Sequence, residues 1–299
     1  MNIGIVLAAF FVTIFLGIPI GVSVGLTSLT ASWANPSLPA TADFIFRNMV
    51  TALDTYALLA VPLFILSGVI MAQGGISKKL FDFFAYFVGN RTAGLPIAVI
   101  VTCLFYGAIS GSGPATVAAV GAMSIPLLVR LGYEREFVTA MVAVSGGLGV
   151  IIPPSIPFIM YGLSSGESVG KLFIAGILPG ILIGLFLMIY AYGYCRIKGE
   201  DKEKLKANYE SIRKQGFFRT FRDSFWALLT PVIILGGIYG GIVTPTEAAD
   251  ISVIYALVVS IFIYKTFKIS DIPGALKEAA KTAAPVLLVV STATVFGRV

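Results

Sequence analysis

Two short stretches carry the residue types that could do chemistry in this chain. The first is GAISGSGPAT at 107–116, where Ser110, Ser112 and Thr116 bring hydroxyls and Gly111 and Gly113 bring backbone freedom. The second is SGGLGVIIPPSIP at 145–157, where Gly146, Gly147 and Gly149 precede Pro153, Pro154 and Ser155. No charge falls between Thr92 and Val129, or within the second stretch, so neither set of polar groups has an ion to pair with. Pro114 suits the first turn of a helix, which presents free N-terminal amides and a positive dipole end. Two successive prolines remove consecutive N–H donors and interrupt a helix. Such broken elements can hold a carboxylate on amides and a sodium ion on carbonyls, here those of Ser110, Gly111, Gly149 and Pro153. The plainer alternatives are a glycine-rich close helix contact for the first stretch and a simple proline kink for the second.

What is missing narrows the chemistry further. Without a single histidine there is no Ser-His-Asp or Cys-His catalysis and no His-ligated zinc or haem. No Asp, Glu, Lys or Arg falls within either stretch, which argues against a proton relay on an intramembrane carboxylate and favours Na+ on neutral oxygens. The sequence has no G-x-x-x-x-G-K-[ST] nucleotide loop. Cys103 and Cys195 sit apart in apolar segments and read as small packing residues. The net charge of +6 does not point to nucleic acid, because the basic residues flank hydrophobic segments.

The elements that must position these stretches are membrane helices. The chain is 57% hydrophobic and 12% charged, against about 25% charged in soluble domains. No charge occurs from Met1 to Ala42. The start has no basic n-region and an apolar run too long for a signal peptide, so 3–31 reads as a first spanning helix. Further segments able to span cover 56–74, 137–163, 171–195, 224–243, 246–264 and 284–298. Leu80, Phe81, Phe84, Phe87 and Val88 recur at helical spacing and predict an interfacial helix over 76–90. Residues 95–109 and 114–129 are short for a crossing, so 95–129 reads as a re-entrant hairpin with Ser110–Gly113 at its tip, opposite a broken helix over 137–163. With a cytoplasmic N-terminus and this hairpin, 18 of 21 basic residues lie on the cytoplasmic side, leaving Arg47, Lys171 and Arg298 outside. An odd number of crossings in 95–129 would instead place Lys78, Lys79 and Arg91 opposite the basic loop 196–222. That loop is expected to be a solvated linker, or else a docking site for a partner subunit. VTPTEAAD predicts a capping box of Thr244 and Glu247 with Pro245 at the first helical position, and SSGES predicts the same of Ser164 and Glu167.

Taken in order and spacing with LLAVPLFILSGVIMAQGGISKKL (58–80), IPLLVRLGYERE (125–136) and LFIAGILPGILIG (172–184), these motifs resemble the large membrane subunit, DctM-like, of TRAP (tripartite ATP-independent periplasmic) transporters over the whole chain. The resemblance implies an all-α polytopic inner-membrane protein with an ion-transporter-like elevator fold. It implies a Na+-driven carrier, not an enzyme, that imports organic acids of the C4-dicarboxylate, sialic acid or sugar-acid type. Its expected partners are a soluble periplasmic binding protein and a small four-helix membrane subunit. No cofactor is implied beyond Na+ as coupling ion. By the same resemblance Ser110, Gly111, Ser112 and Gly113 form the hairpin clip and Gly147, Gly149, Pro153, Pro154 and Ser155 the broken helix, together holding one Na+ and one side of the substrate. The family also has an inverted repeat: residues 1–195 match its first copy, 196–223 the linker, and 224–299 the start of a second copy that stops partway, so the sequence reads as C-terminally truncated. Two rivals stay open, a self-sufficient Na+/carboxylate symporter and a non-transporting membrane scaffold.

Overall fold

The computed structural model describes residues 3–34, 41–214 and 216–298, all in helices and short connections with no strand among them. Residues 1–2, 35–40, 215 and 299 lie outside the described residues. Among the described residues, seven helical segments are long and apolar enough to cross a membrane: Tyr56–Gln73, Gly113–Arg130, Arg135–Ser165, Val169–Lys198, Phe217–Tyr239, Pro245–Ile263 and Ile269–Phe296. The protein is therefore an all-α, multi-pass membrane protein.

The first expectation to fail is the single span over 3–31. Helix α1 (Ile3–Phe15) ends and α2 (Ile20–Ala34) begins anew, and the two pack against each other. The cause is local. Gly17 takes φ +77°, the Gly17 N–H donates to Ile14 O at 2.9 Å, and the Ile18 N–H donates to Thr13 O at 3.1 Å. That pair of bonds is a Schellman stop, and Pro19 then withholds a donor two residues on. Each arm falls short of a bilayer-spanning length. The cytoplasmic N-terminus rested on one crossing over 3–31, and this hairpin removes that step.

Helix α3 (Ala42–Leu53) is capped by the Thr41 hydroxyl, and a 3-10 turn (Tyr56–Leu59) leads into α4 (Ala60–Gln73). Next come α5 (Ile76–Val88), α6 (Gly94–Ser110), α7 (Gly113–Arg130), and α8 (Arg135–Gly146) with its short continuation α9 (Leu148–Ile151). Helix α10 (Ile156–Ser165) and the long α11 (Val169–Lys198) complete this part. The polar α12 (Lys202–Arg213) leads to α13 (Phe217–Tyr239) and α14 (Pro245–Val258), which a π turn over Val259–Ile263 prolongs. Last is α15 (Ile272–Phe296). Thr244 and Glu247 form the expected capping box ahead of α14. SSGES does not: Ser164 and Ser165 stay in α10, Gly166 at φ +75° ends it, and the Ser165 hydroxyl accepts the Glu167 N–H.

Helix α4 lies along α14. Thr246 Oγ1 donates to Tyr56 O at 3.4 Å, Ser252 Oγ donates to Ser67 Oγ, and Thr266 Oγ1 donates to Gly74 O at 2.7 Å, so the two helices run in the same direction. The face of α5 predicted from spacing is the one it buries: Leu80 and Phe81 are buried and Phe84 meets Phe105, while Phe87 stays half exposed.

Helices α6 and α7 pack against each other with their remote ends tied at one carboxylate. The Ala93 N–H, just before α6, donates to both oxygens of Glu200 at 3.1 Å. The Tyr133 hydroxyl, just after α7, donates to the same group at 2.5 Å. Chain entry and exit of this hairpin therefore lie at the same end of the bundle. Helix α7 alone is long enough to cross, so length does not decide the matter, and the shared anchor at Glu200 does. Burial, and then the bond to Glu200, push the Tyr133 hydroxyl above its ordinary pKa, which keeps it a donor. Replacing Glu200 by Ala should cost about 1–3 kcal/mol, the usual penalty for stranding buried donors. A lowered melting temperature in detergent and faster hydrogen exchange near Ala93 and Tyr133 would register the loss; unchanged values would remove Glu200 as the anchor.

Candidate functional site

Both polar stretches are helix starts of one design. Gly111, at φ +62°, closes α6 through its N–H to Gly107 O at 3.0 Å. Ser112 is extended and caps α7, its hydroxyl accepting the Ala115 N–H at 3.4 Å, with Pro114 at the second helical position. Ser155 is extended likewise and caps α10, accepting the Phe158 N–H at 3.4 Å, with Pro157 in the second position. Ser155 also donates to Val150 O at 2.5 Å. A small polar knot fixes the first tip: Ser110 Oγ lies 3.1 Å from Thr116 Oγ1, which donates to Ser112 O at 2.8 Å. Ser110, Ser112, Thr116 and Ser155 are all buried.

The two starts meet. The Ile156 N–H donates to Gly111 O at 3.3 Å. A Cβ on Gly111 would fall 2.5 Å from Pro154 O. One on Gly149 would fall 2.4 Å from Thr116 Oγ1 and 3.1 Å from Ser112 O. One on Gly113 would fall 2.8 Å from a Val150 methyl, and one on Gly107 2.5 Å from Gly149 Cα. The structure thus brings together Ser110, Gly111, Ser112, Gly113, Thr116, Gly149, Pro153, Pro154 and Ser155. Gly147 stands apart: it is exposed, and a Cβ there would touch only Val144 O, in its own helix, at 3.1 Å.

Helix ends and one proline decide which oxygens are left over. A helical carbonyl accepts from the N–H four residues on. For Gly149, in α9, that residue is Pro153; Ser110 closes α6 ahead of left-handed Gly111 and extended Ser112, and Pro153 lies between α9 and α10, so neither has a donor in a helix of its own. Among the described residues these three carbonyls accept no backbone hydrogen bond outside a helix, and no helical donor exists for them. Gly111 O differs, because Ile156 already engages one of its lone pairs. Ser145 adds a buried hydroxyl without a partner, beside Gly146. Among the described residues no cluster of His, Cys, Asp and Glu side chains could hold a metal, so a cation here would rest on neutral oxygens.

Sequence reasoning missed three contributors. Gly68, in the middle of α4, admits the tip: a Cβ there would fall 2.9 Å from Ser110 Cβ. Tyr106, fully buried, donates its hydroxyl to Gly68 O at 2.6 Å. Gly107 abuts Gly149. The Ser67-Gly68 pair inside an apolar helix was the available signal; Tyr106 and Gly107 gave none beyond their nearness to the motif.

Comparison with known proteins gives the chain's family. The family "Tripartite ATP-independent periplasmic transporter, DctM component" matches residues 7–299. The isethionate TRAP transporter permease protein DctMQ of Oleidesulfovibrio alaskensis is 42% identical over 290 residues, 97% of this chain and 45% of that protein. The C4-dicarboxylate TRAP transporter large permease protein DctM of Pseudomonas aeruginosa is 42% identical over 82% of this chain and 56% of its own length. The sialic acid TRAP transporter permease protein SiaT of Haemophilus influenzae is 33% identical over 99% of this chain and 47% of its own. The chain spans about half the length of these relatives. It belongs to the DctM family of TRAP transporter permeases.

The steric argument separates two glycines. Gly149→Ala should lower stability by about 1–3 kcal/mol, the usual cost of overpacking, because Thr116 Oγ1 and Ser112 O stand in the way. Gly147→Ala should leave the melting temperature unchanged or slightly higher. Equal tolerance of both substitutions would show that the hairpin and the broken helix are not packed as described.

Proposed function

We propose that this chain is the membrane subunit of a Na+-coupled secondary transporter of the inner membrane, importing small organic acids handed over by a periplasmic binding protein. The observation that carries the proposal is the set of carbonyls left without a helical donor at Ser110, Gly149 and Pro153 beside two serine-capped helix starts joined at Gly111 and Ile156. Hard cations take oxygen ligands, and a Na+ on neutral carbonyls needs no carboxylate. The N-terminal ends of α7 and α10 suit a carboxylate through their dipoles. Isethionate, C4-dicarboxylates and sialic acid, for which the relatives are named, are all anions at neutral pH.

In this reading Ser110, Gly149 and Pro153 supply carbonyls to the ion, with Gly111 contributing its remaining lone pair. Ser112, Ser155 and Thr116 hold the two helix starts in place. The hairpin α6–α7 and the broken helix α8–α10 would move as one elevator body against a frame containing α4 and α14, which is alternating access around a midplane site. The inverted repeat supplies the other side of the substrate. The basic loops at the hairpin's base face the cytoplasm by the positive-inside rule, and a small four-helix membrane subunit completes the complex.

Uptake into proteoliposomes holding the complete transporter and its binding protein tests this. Uptake is expected to need an inward Na+ gradient and the binding protein, and to fall in Ser112→Ala. Pro153→Ala restores an N–H group opposite Gly149 O, and should weaken the apparent Na+ affinity by about tenfold, ~1.4 kcal/mol. Uptake indifferent to sodium and to both substitutions would overturn the proposal. Uptake without the binding protein would favour a self-sufficient symporter.

A further inference from the structure

Two hollows adjoin where the start of α5 meets α13. One is polar, about 720 Å³, and is lined by Gly74, Lys78, Lys79, Asp82, Asp223 and Thr266 among others. The other is aromatic, about 830 Å³, formed by Phe218, Phe221, Phe225 and Trp226 with Arg219. Arg222 and Trp226 line both, so the two form one groove with a charged limb and an apolar limb.

We infer that this groove binds an anionic phospholipid, its phosphate among Lys78, Lys79 and Arg222 and an acyl chain along the rings of α13. The apolar limb is a continuous wall: Phe217–Phe221 centroids lie 5.9 Å apart, Phe221–Phe225 5.8 Å and Phe225–Trp226 5.4 Å. Phe218, 87% exposed, has no packing role within the chain. In the charged limb Asp223 is held by Lys79 at 3.6 Å and only loosely by Arg222 at 3.9 Å, while Lys78 forms no ion pair among the described residues. Burial raises the carboxyl of Asp82 above its ordinary range, against the pull of Lys78 and Lys79. Three cations, Lys78, Lys79 and Arg222, face two carboxyl groups, Asp82 and Asp223. Basic pockets beside membrane helices recognise phosphate headgroups, and aromatic rings with basic neighbours favour the interface where such headgroups lie. A spanning helix of a partner subunit would cover the rings but leave the cationic limb without a counter-ion, which is why a lipid is the better occupant.

The test extracts the protein in mild detergent from vesicles of equal parts phosphatidylcholine and phosphatidylglycerol, and measures retained lipid by native mass spectrometry. Phosphatidylglycerol should be retained about tenfold over phosphatidylcholine, and the Lys78→Gln/Arg222→Gln double variant should lose that preference. Phe218→Ala should reduce retention of both lipids without changing the melting temperature, a readout free of folding effects. Retention at the bulk ratio, an unchanged preference in the double variant, or displacement of the lipid by soluble glycerol phosphate would overturn the inference. So would cross-linking of a partner helix from Phe218→Cys in place of lipid.

Discussion

A backbone interrupted inside a dry helix bundle must find partners for every N–H and C=O it frees, or lose several kcal/mol for each. The centre of this protein is built around that demand. Two helices stop at Ser110 and Ile151 and two restart at Gly113 and Ile156, and water is not at hand to satisfy what they release. Serines answer for the restarting amides, and the Ile156 N–H crosses to Gly111 O. Such a crossing requires the two backbones to approach closely, and that requirement accounts for the glycines. At Gly107, Gly111, Gly113, Gly146 and Gly149 an added Cβ would lie less than 3.0 Å from the opposite element. The glycines do not make the region loose. They let it pack.

The hairpin is held unequally at its two ends. At the base, one carboxylate accepts three hydrogen bonds from residues before α6 and after α7. Charge-assisted bonds of this kind are about twice as strong as neutral ones. Towards the tip, the link to α4 is a single Tyr106 hydroxyl on Gly68 O and a close contact between small residues. Its net worth is on the order of 1 kcal/mol. Helix α4 is bound more firmly to α14, through Ser67–Ser252 and Thr266–Gly74. An elevator movement on the proposed reading would therefore slide the tip along α4 at low cost while the hairpin keeps its own shape.

Much of this was legible from residue spacing because helix starts and stops are local events. Ser112 and Ser155 announce their caps, Thr244 and Glu247 their box, and Pro153-Pro154 the break. The same logic read consistently would have found the stop at Gly17-Ile18-Pro19, where apolar length hid a local signal. Gly147 was grouped with Gly146 and Gly149 by adjacency, yet a helix turns about 100° per residue and carries it to the outer face. Ser164 and Glu167 had the spacing of a capping box, but Gly166 between them could take a positive φ and end the earlier helix first. Glu200 could not have been found. Its partners Ala93 and Tyr133 are 107 and 67 residues away, and one acid among several in a basic loop carries no mark of its role.

The neutrality of the site has a consequence for coupling. A carboxylate at the helix starts or a sodium ion on the carbonyls, taken alone, would be an unpaired charge in a medium that solvates it poorly. A fixed acidic side chain would hold the cation without the substrate and let it leak across. With only amides, hydroxyls and carbonyls present, each ion is the other's most effective counter-charge. On the proposed reading, the two enter together because either one alone is costly to bury. The absence of charge from Thr92 to Val129 and across the broken helix is then a condition for obligatory symport.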